Sequence, residues 1–418
     1  MTNSTRKSFA IDSVSLLFLS LMRPEHTNSF RVCMELTEPV CPETLQEAAD
    51  VIWKRFPSVV GCIQPGFFHY CQVHMTAPPV VQEDPGLLRT MSREELENRA
   101  FRVYYRENTI SIEVFHVLTD GYGAITTITT LVAEYLQRKY GVSIPATQIC
   151  LNTDDLPAPE EVEDSFLLLA KENPWHLPSR FSYLPPKPED TDWNVRAVCC
   201  NLDTKKLLEV AHEYGVTLNT LISAVMADTL MRMQLRRPVR KLMPVRIMVP
   251  ANLRRMFGSR TLRNFALYGL PTMEPEEAAL GLKALCTSFD KQLKSHFSRK
   301  TMASMSAYNV RMQNSCFFKC LPWKLKAAAM RLGYRFFGES NSSLTLTNLG
   351  MVKLPEEMEP YVADVQLYMT PRAGVPYGCT VLSFGDRLTI NLSKFTDDRE
   401  LEESFFGSLQ ELCKNTDA

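Results

Sequence analysis

The passage from Phe101 to Gly141 constrains the fold more than any other part of the sequence. Two β-like runs, Phe101 to Arg106 and Thr109 to Phe115, are joined by Glu107-Asn108, which predicts a hairpin. Beyond it, apolar residues fall at Ile125, Ile128, Leu131, Val132, Tyr135 and Leu136, the spacing of one helical face, and Gly141 closes the pattern. Between strand and helix lies His116-Val-Leu-Thr-Asp120-Gly121. The chain must therefore turn from a strand into a helix with a histidine at the strand end. Such a turn projects a side chain into a cleft while its flanking elements hold the backbone still. His116 is the first candidate for chemistry.

The rest of the chain alternates strand and helix patterns. Residues 14–21 and 29–36 read as strands. The apolar stretch Val14–Met22 follows Arg6 and Lys7, but it is too short for a signal peptide or a bilayer span and is followed by Arg23-Pro24-Glu25-His26. A buried first strand is expected there. Pro42 opens a helix that ends at Pro57, and short strands follow at 59–63 and 67–74. Residues 151–192 are acidic and proline-rich, with Pro185-Pro186-Lys187-Pro188 near their end. They read as a crossover linker between an N-terminal lobe, 1–150, and a C-terminal lobe, 193–418. In the second lobe Thr217 is expected to cap a helix that is apolar nearly all round and hence buried between layers. Strands are expected at 195–202, 244–249, 344–347, 362–369, 380–384 and 388–392. The fold class is α/β (α+β).

A chain of 418 residues suffices for two domains sharing a large core. Its net charge of −1 gives no global attraction to nucleic acid. The twelve cysteines show no framework spacing, which points to reduced thiols and a cytoplasmic protein. Cys62, His69, Cys71 and His74 lie within one short stretch, but a strand sends Cys71 and His74 to opposite faces, so no metal site is expected.

His116-x-x-x-Asp120-Gly121 at a strand end resembles the signature of the chloramphenicol-acetyltransferase-like acyltransferases, a superfamily that includes alcohol acyltransferases and condensation domains. Three further stretches carry the resemblance, in the expected order. Tyr214 to Val225 is similar to the helix that opens the family's second lobe. Val249-Pro-Ala-Asn-Leu-Arg254 followed by Asn264-Phe265 is similar to its strand ending in arginine and then Gly-Asn-Phe, with Arg263 standing where the family has glycine. Thr345-Leu-Thr-Asn-Leu-Gly350 resembles the Ser-Asn-Leu-Gly segment of bacterial and fungal alcohol acetyltransferases, and taken together the stretches resemble bacterial alcohol-acetyltransferase-like proteins.

The resemblance implies two lobes with mixed sheets flanked by helices and a tunnel between them. It implies transfer of an acyl group, most simply acetyl, from coenzyme A as co-substrate to a small alcohol or amine, with His116 as general base and no acyl-enzyme. No permanently bound cofactor is needed. Asp120 is expected to support the loop by pairing with Arg254, or as second choice Arg246, and Gly121 to make the turn. Thr345, Thr347 and Asn348 are candidates for the oxyanion donor or the tunnel wall, and Tyr122 for the tunnel. A carrier protein is the alternative donor, although Phe115 stands where condensation domains carry a second histidine. A non-catalytic binding protein of the same fold is the third reading.

Two basic features stay open. Arg232, Arg236, Arg237, Arg240 and Lys241 suit either a solvated helix end or the phosphates of coenzyme A. The segment 318–337 is basic and amphipathic, and suits either packing on the protein's own core or peripheral contact with a membrane.

Overall fold

The computed structural model describes residues 7–23, 26–187, 193–238 and 240–415. Residues 1–6 of the expected first lobe and 188–192 of the expected linker lie outside the described residues. In chain order the first part comprises β1 (Ser8–Ala10), α1 (Ser13–Leu21), β2 (Ser29–Leu36), α2 (Pro42–Arg55), β3 (Gly61–Gln64), β4 (Cys71–His74), β5 (Val81–Glu83), α3 (Arg93–Asn98), β6 (Phe101–Arg106), β7 (Thr109–Phe115) and α4 (Gly121–Tyr140). The hairpin, the turn at His116 and the long helix fall where the sequence places them. Gly141 ends α4 at φ +70°, a backbone conformation that glycine adopts without penalty.

Residues 14–21 are helical, not a strand. Asp12 caps α1 by accepting from Val14 N at 3.0 Å and Ser15 N at 2.8 Å, and Leu16 and Leu19 face the core. An unbroken apolar run carries no period that distinguishes strand from helix, so the cap decides.

The crossover contains α5 (Pro159–Val162) and a 3-10 turn, Ser165–Leu169. Its described part is pinned rather than free. Phe166 and Leu169 are buried in a cluster with Phe265 and Met302, and Arg55 pairs with Glu161 at 2.6 Å.

The second part continues with β8 (Arg196–Asp203), α6 (Thr204–Glu213), α7 (Leu218–Leu235), β9 (Val245–Asn252), α8 (Arg254–Phe257), β10 (Ala266–Gly269), β11 (Thr272–Met273) and α9 (Leu282–His296). It ends with α10 (Arg299–Asn314), α11 (Cys316–Cys320), α12 (Trp323–Phe337), β12 (Leu344–Met351), β13 (Val362–Met369), β14 (Tyr377–Phe384), β15 (Arg387–Lys394) and α13 (Glu400–Asn415). Thr217 caps α7, whose side chains are buried on nearly every face between sheet and outer helices.

The second lobe's sheet runs β10-β9-β12-β14-β15-β8, and it is mixed, since β12 is parallel to both β9 and β14. The first lobe's sheet runs β13-β2-β7-β6-β5. Its edge strand β13 comes from the second half of the chain and pairs with β2, Val365 opposite Met34. The lobes are thus not separated by one cut in the sequence. Each has its own apolar core, one around Val32, Ile112 and Leu131, the other around Leu221, Ile247 and Val381. Among the described residues no helix is long and apolar enough to cross a membrane.

Candidate active site

The turn after β7 is fixed from three directions. His116 N donates to Asn28 O at 2.9 Å, which ties the strand end to the segment before β2. The His116 carbonyl accepts from Asn264 Nδ2 at 2.9 Å, and the same amide bonds Ser15 Oγ at 2.9 Å. Thr119 Oγ1 donates to Leu262 O at 2.5 Å. Two of these three anchors come from the second half of the chain.

The imidazole packs between aromatic rings. Phe18 stacks on it at 4.5 Å between centroids, and Phe30 meets it at 4.8 Å. Its Nδ1 is buried with no hydrogen-bond partner among the described residues. Burial holds the His116 pKa below the ordinary histidine value, outweighing its own backbone carbonyl, Asp120, Asn264 and Asp12, which all favour the charged form. At neutral pH the ring is therefore uncharged and able to accept a proton.

Asp120 caps α4, and its hydrogen bonds go to groups other than the imidazole. It accepts from Gly123 N at 3.3 Å, from Phe265 N at 2.9 Å and from Arg254 Nη1 at 2.8 Å. Arg254 in turn donates to Thr261 O at 2.6 Å and Arg263 O at 2.5 Å, and lies 4.6 Å over the Tyr122 ring. Arg246 sits elsewhere, bonded to Asn341, Arg180 O and Pro178 O. Gly121 is needed for space rather than for an unusual φ, because a Cβ there would come 2.5 Å from Leu349 Cδ2 of β12.

A cavity of about 320 Å³ opens beside His116. The first half of the chain supplies His116, Tyr122 and Ile125 to its wall, and the second half Asn252, Thr347 and Asn348. Strands β9 and β12 pair only at Leu344–Ile247 and Thr345–Met248. Beyond those pairs β12 follows β14 instead, and Gly350 at φ +74° bends it further, so the cavity occupies the split. Thr345, below the split, is buried against the Met248 sulfur and does not line the cavity. Tyr122 and Asn252 also line a second cavity of about 790 Å³, which carries Arg255, Arg260 and Glu161.

In the basic cluster Arg236 and Arg237 both bond Glu400, and Arg232 bonds Asp228. Sequence reasoning missed Phe18 and Phe30, which no motif marks. It also missed what Asn264 does, although Asn264-Phe265 was visible as a pattern.

No family model and no curated protein matches the chain. Solved structures do. Polyketide synthase associated protein 5 from Mycobacterium tuberculosis superposes with a TM-score of 0.62 at 13% identity, over 97% of both chains. The TRI3 trichothecene 15-O-acetyltransferase from Fusarium sporotrichioides gives 0.61 at 10% identity, over 99% of this chain and 96% of that one. The first condensation domain of the CDA synthetase gives 0.60 at 14% identity, over 99% and 97%.

Proposed function

The chain has the two-lobed fold of the chloramphenicol-acetyltransferase-like superfamily, and we propose that it is an acyltransferase moving an acyl group from a thioester to a small hydroxylated acceptor. The observation that carries this reading is His116, kept neutral by burial and set in the wall of a cavity to which both halves of the chain contribute. In the step it supports, the imidazole takes the acceptor's O–H proton as the oxygen bonds to the thioester carbonyl carbon. The tetrahedral oxyanion then collapses, the C–S bond breaks, and the thiolate leaves with the proton from His116. Thr347 and Asn348, polar side chains of the second half in the same cavity wall, are the candidates to meet that oxyanion. Asp120 and Arg254 hold the turn and take no part in proton transfer.

Coenzyme A is the donor this reading favours. Arg255 and Arg260 line the adjoining cavity, where a phosphate-bearing handle would meet cationic side chains. A carrier-protein thioester is the second donor, supported by the likeness to a condensation domain. The test is a mass-spectrometric screen of acetyl-coenzyme A and acyl-carrier protein against pooled alcohols and amines. Acylated product with the native protein and none with His116→Ala supports the reading. Product at the same rate from both sinks it, and binding of donor without any product favours a non-catalytic protein.

A further inference from the structure

The segment from 291 to 338 contains ten Lys or Arg residues and not one Asp or Glu, in a chain of net charge −1. Its last part, α11 and α12, lies at the surface. Among the described side chains of α12 only Lys326 and Ala327 are buried. The exposed face of α12 is divided lengthwise. Leu325, Ala329, Leu332 and Phe336 form one strip at three- and four-residue spacing, and Lys324, Ala328, Arg331 and Arg335 form the strip beside it. Leu325, Leu332 and Phe336 are each more than half exposed, as is Phe317 of α11 at 78%.

A second chain segment extends this surface. Trp323 N donates to Phe67 O at 2.9 Å and Lys326 Nζ to Phe68 O at 3.0 Å, so the loop between β3 and β4 is docked at the start of α12. Phe67 itself stays 74% exposed there. Monomeric proteins seldom expose so many large apolar side chains together at the surface.

We propose that this face, formed by Phe67, Phe317 and the outer side of α12, docks on a lipid bilayer carrying anionic headgroups. The split of one helix surface into an apolar strip and a cationic strip is the pattern of a helix lying in a membrane interface, apolar side down and cations among the headgroups. Charge selects the occupant. A neutral apolar partner gives no reason for a segment purged of carboxylates, and a second copy would bring its own cationic strip against this one. The cationic strip also borders a cavity of about 610 Å³, where Arg331 and Arg335 are joined by Arg23 and Arg372, with Glu339 the carboxylate on that wall. Arg372 Nη2 donates to Ser342 O at 2.8 Å, while its Nε and Nη1 are buried without a partner among the described residues. Docking sets the mouth of that cationic cavity at headgroup level.

The test is co-sedimentation of the full chain with vesicles of phosphatidylcholine alone or mixed with phosphatidylglycerol. Binding to the mixed vesicles and not to the neutral ones is expected. Lys324→Gln/Arg331→Gln/Arg335→Gln should weaken it about 100-fold. Phe317→Ser/Leu325→Ser/Leu332→Ser should abolish it, while Leu156→Ser/Phe181→Ser, which removes exposed apolar groups elsewhere, should leave it unchanged. A second measurement needs no variant: mixed vesicles should protect 316–336 and 66–69 of the native protein from hydrogen exchange. Equal binding to neutral vesicles, native-like binding by the folded apolar variant, or protection confined to another face overturns the proposal. So does failure of the native protein to bind, including the case where light scattering finds a dimer that the apolar variant abolishes.

Discussion

Asp120 Oδ2 and Arg254 Nη1 meet at 2.8 Å, two side chains 134 residues apart in sequence and almost wholly buried where the halves of the chain join. Neither depends on the other alone. Asp120 also receives two backbone N–H bonds, and Arg254 gives two bonds to backbone carbonyls. A buried pair satisfied in this way is costly to break, because the surviving charge is left without a counterpart.

Asp120→Ala and Arg254→Met should each destabilise the fold by about 3–5 kcal/mol. The double variant should cost clearly less than the two losses added together, since the second change removes the stranded charge. Denaturant titration of the four proteins measures this. Additive losses would mean that the pair contributes no coupling.

His116→Ala should behave in the opposite sense. Among the described residues the ring's Nδ1 has no hydrogen-bond partner and its packing partners are the Phe18 and Phe30 faces, so the melting temperature should fall only modestly. Acyl transfer should fall about 10²–10⁴-fold or more, the usual worth of a positioned general base. A variant that melts far below the native protein would instead make His116 a packing residue.

Acid should act on this histidine twice. Its pKa is lowered by burial, so kcat/KM should rise with pH through an inflection below about 6.5 and be flat above it. The folded state favours the neutral ring, so the stability tied to it is complete above the unfolded value and declines as pH falls below that value. His116→Gln should lose this share of acid sensitivity in melting experiments from pH 7 downward. An inflection above 7, or an unchanged acid profile in the variant, contradicts the assignment.

The sequence shows the first half of the site well and the second half in fragments. His116, Asp120 and Gly121 are legible because local period and turn chemistry act over a few residues. Arg254 needed a pattern match, since nothing in periodicity says which arginine lies opposite a turn 134 residues away. Phe18 was hidden by the strand reading of 14–21, which the Asp12 cap overrules. The crossing of β13 into the first lobe's sheet is equally silent, because alternation identifies a strand and not its neighbour. Thr345 and Thr347 share a strand face, yet the split between β9 and β12 opens only beyond Thr345, and a split is a property of two strands.

Gly123 offers a test of how closely the lobes must approach, and the motif alone does not draw attention to it. A Cβ there would fall within contact range of both Thr119 Oγ1 and the Leu262 carbonyl, and the latter is backbone that no rotamer change can move aside. At Gly121 the obstacle is the end of the Leu349 side chain, which can rotate. Gly123→Ala should therefore cost about 1–3 kcal/mol, from overpacking and from straining the Thr119–Leu262 bond, and Gly121→Ala less. The two should differ in activity too. Leu349 lines the cavity, so its displacement by Gly121→Ala should raise the KM for the acceptor while leaving stability nearly intact. Gly123→Ala should lower kcat and stability together, because it pushes the His116 turn away from the second lobe. Equal stability losses at the two positions would show that the backbone of residues 261–265 yields as readily as a leucine side chain.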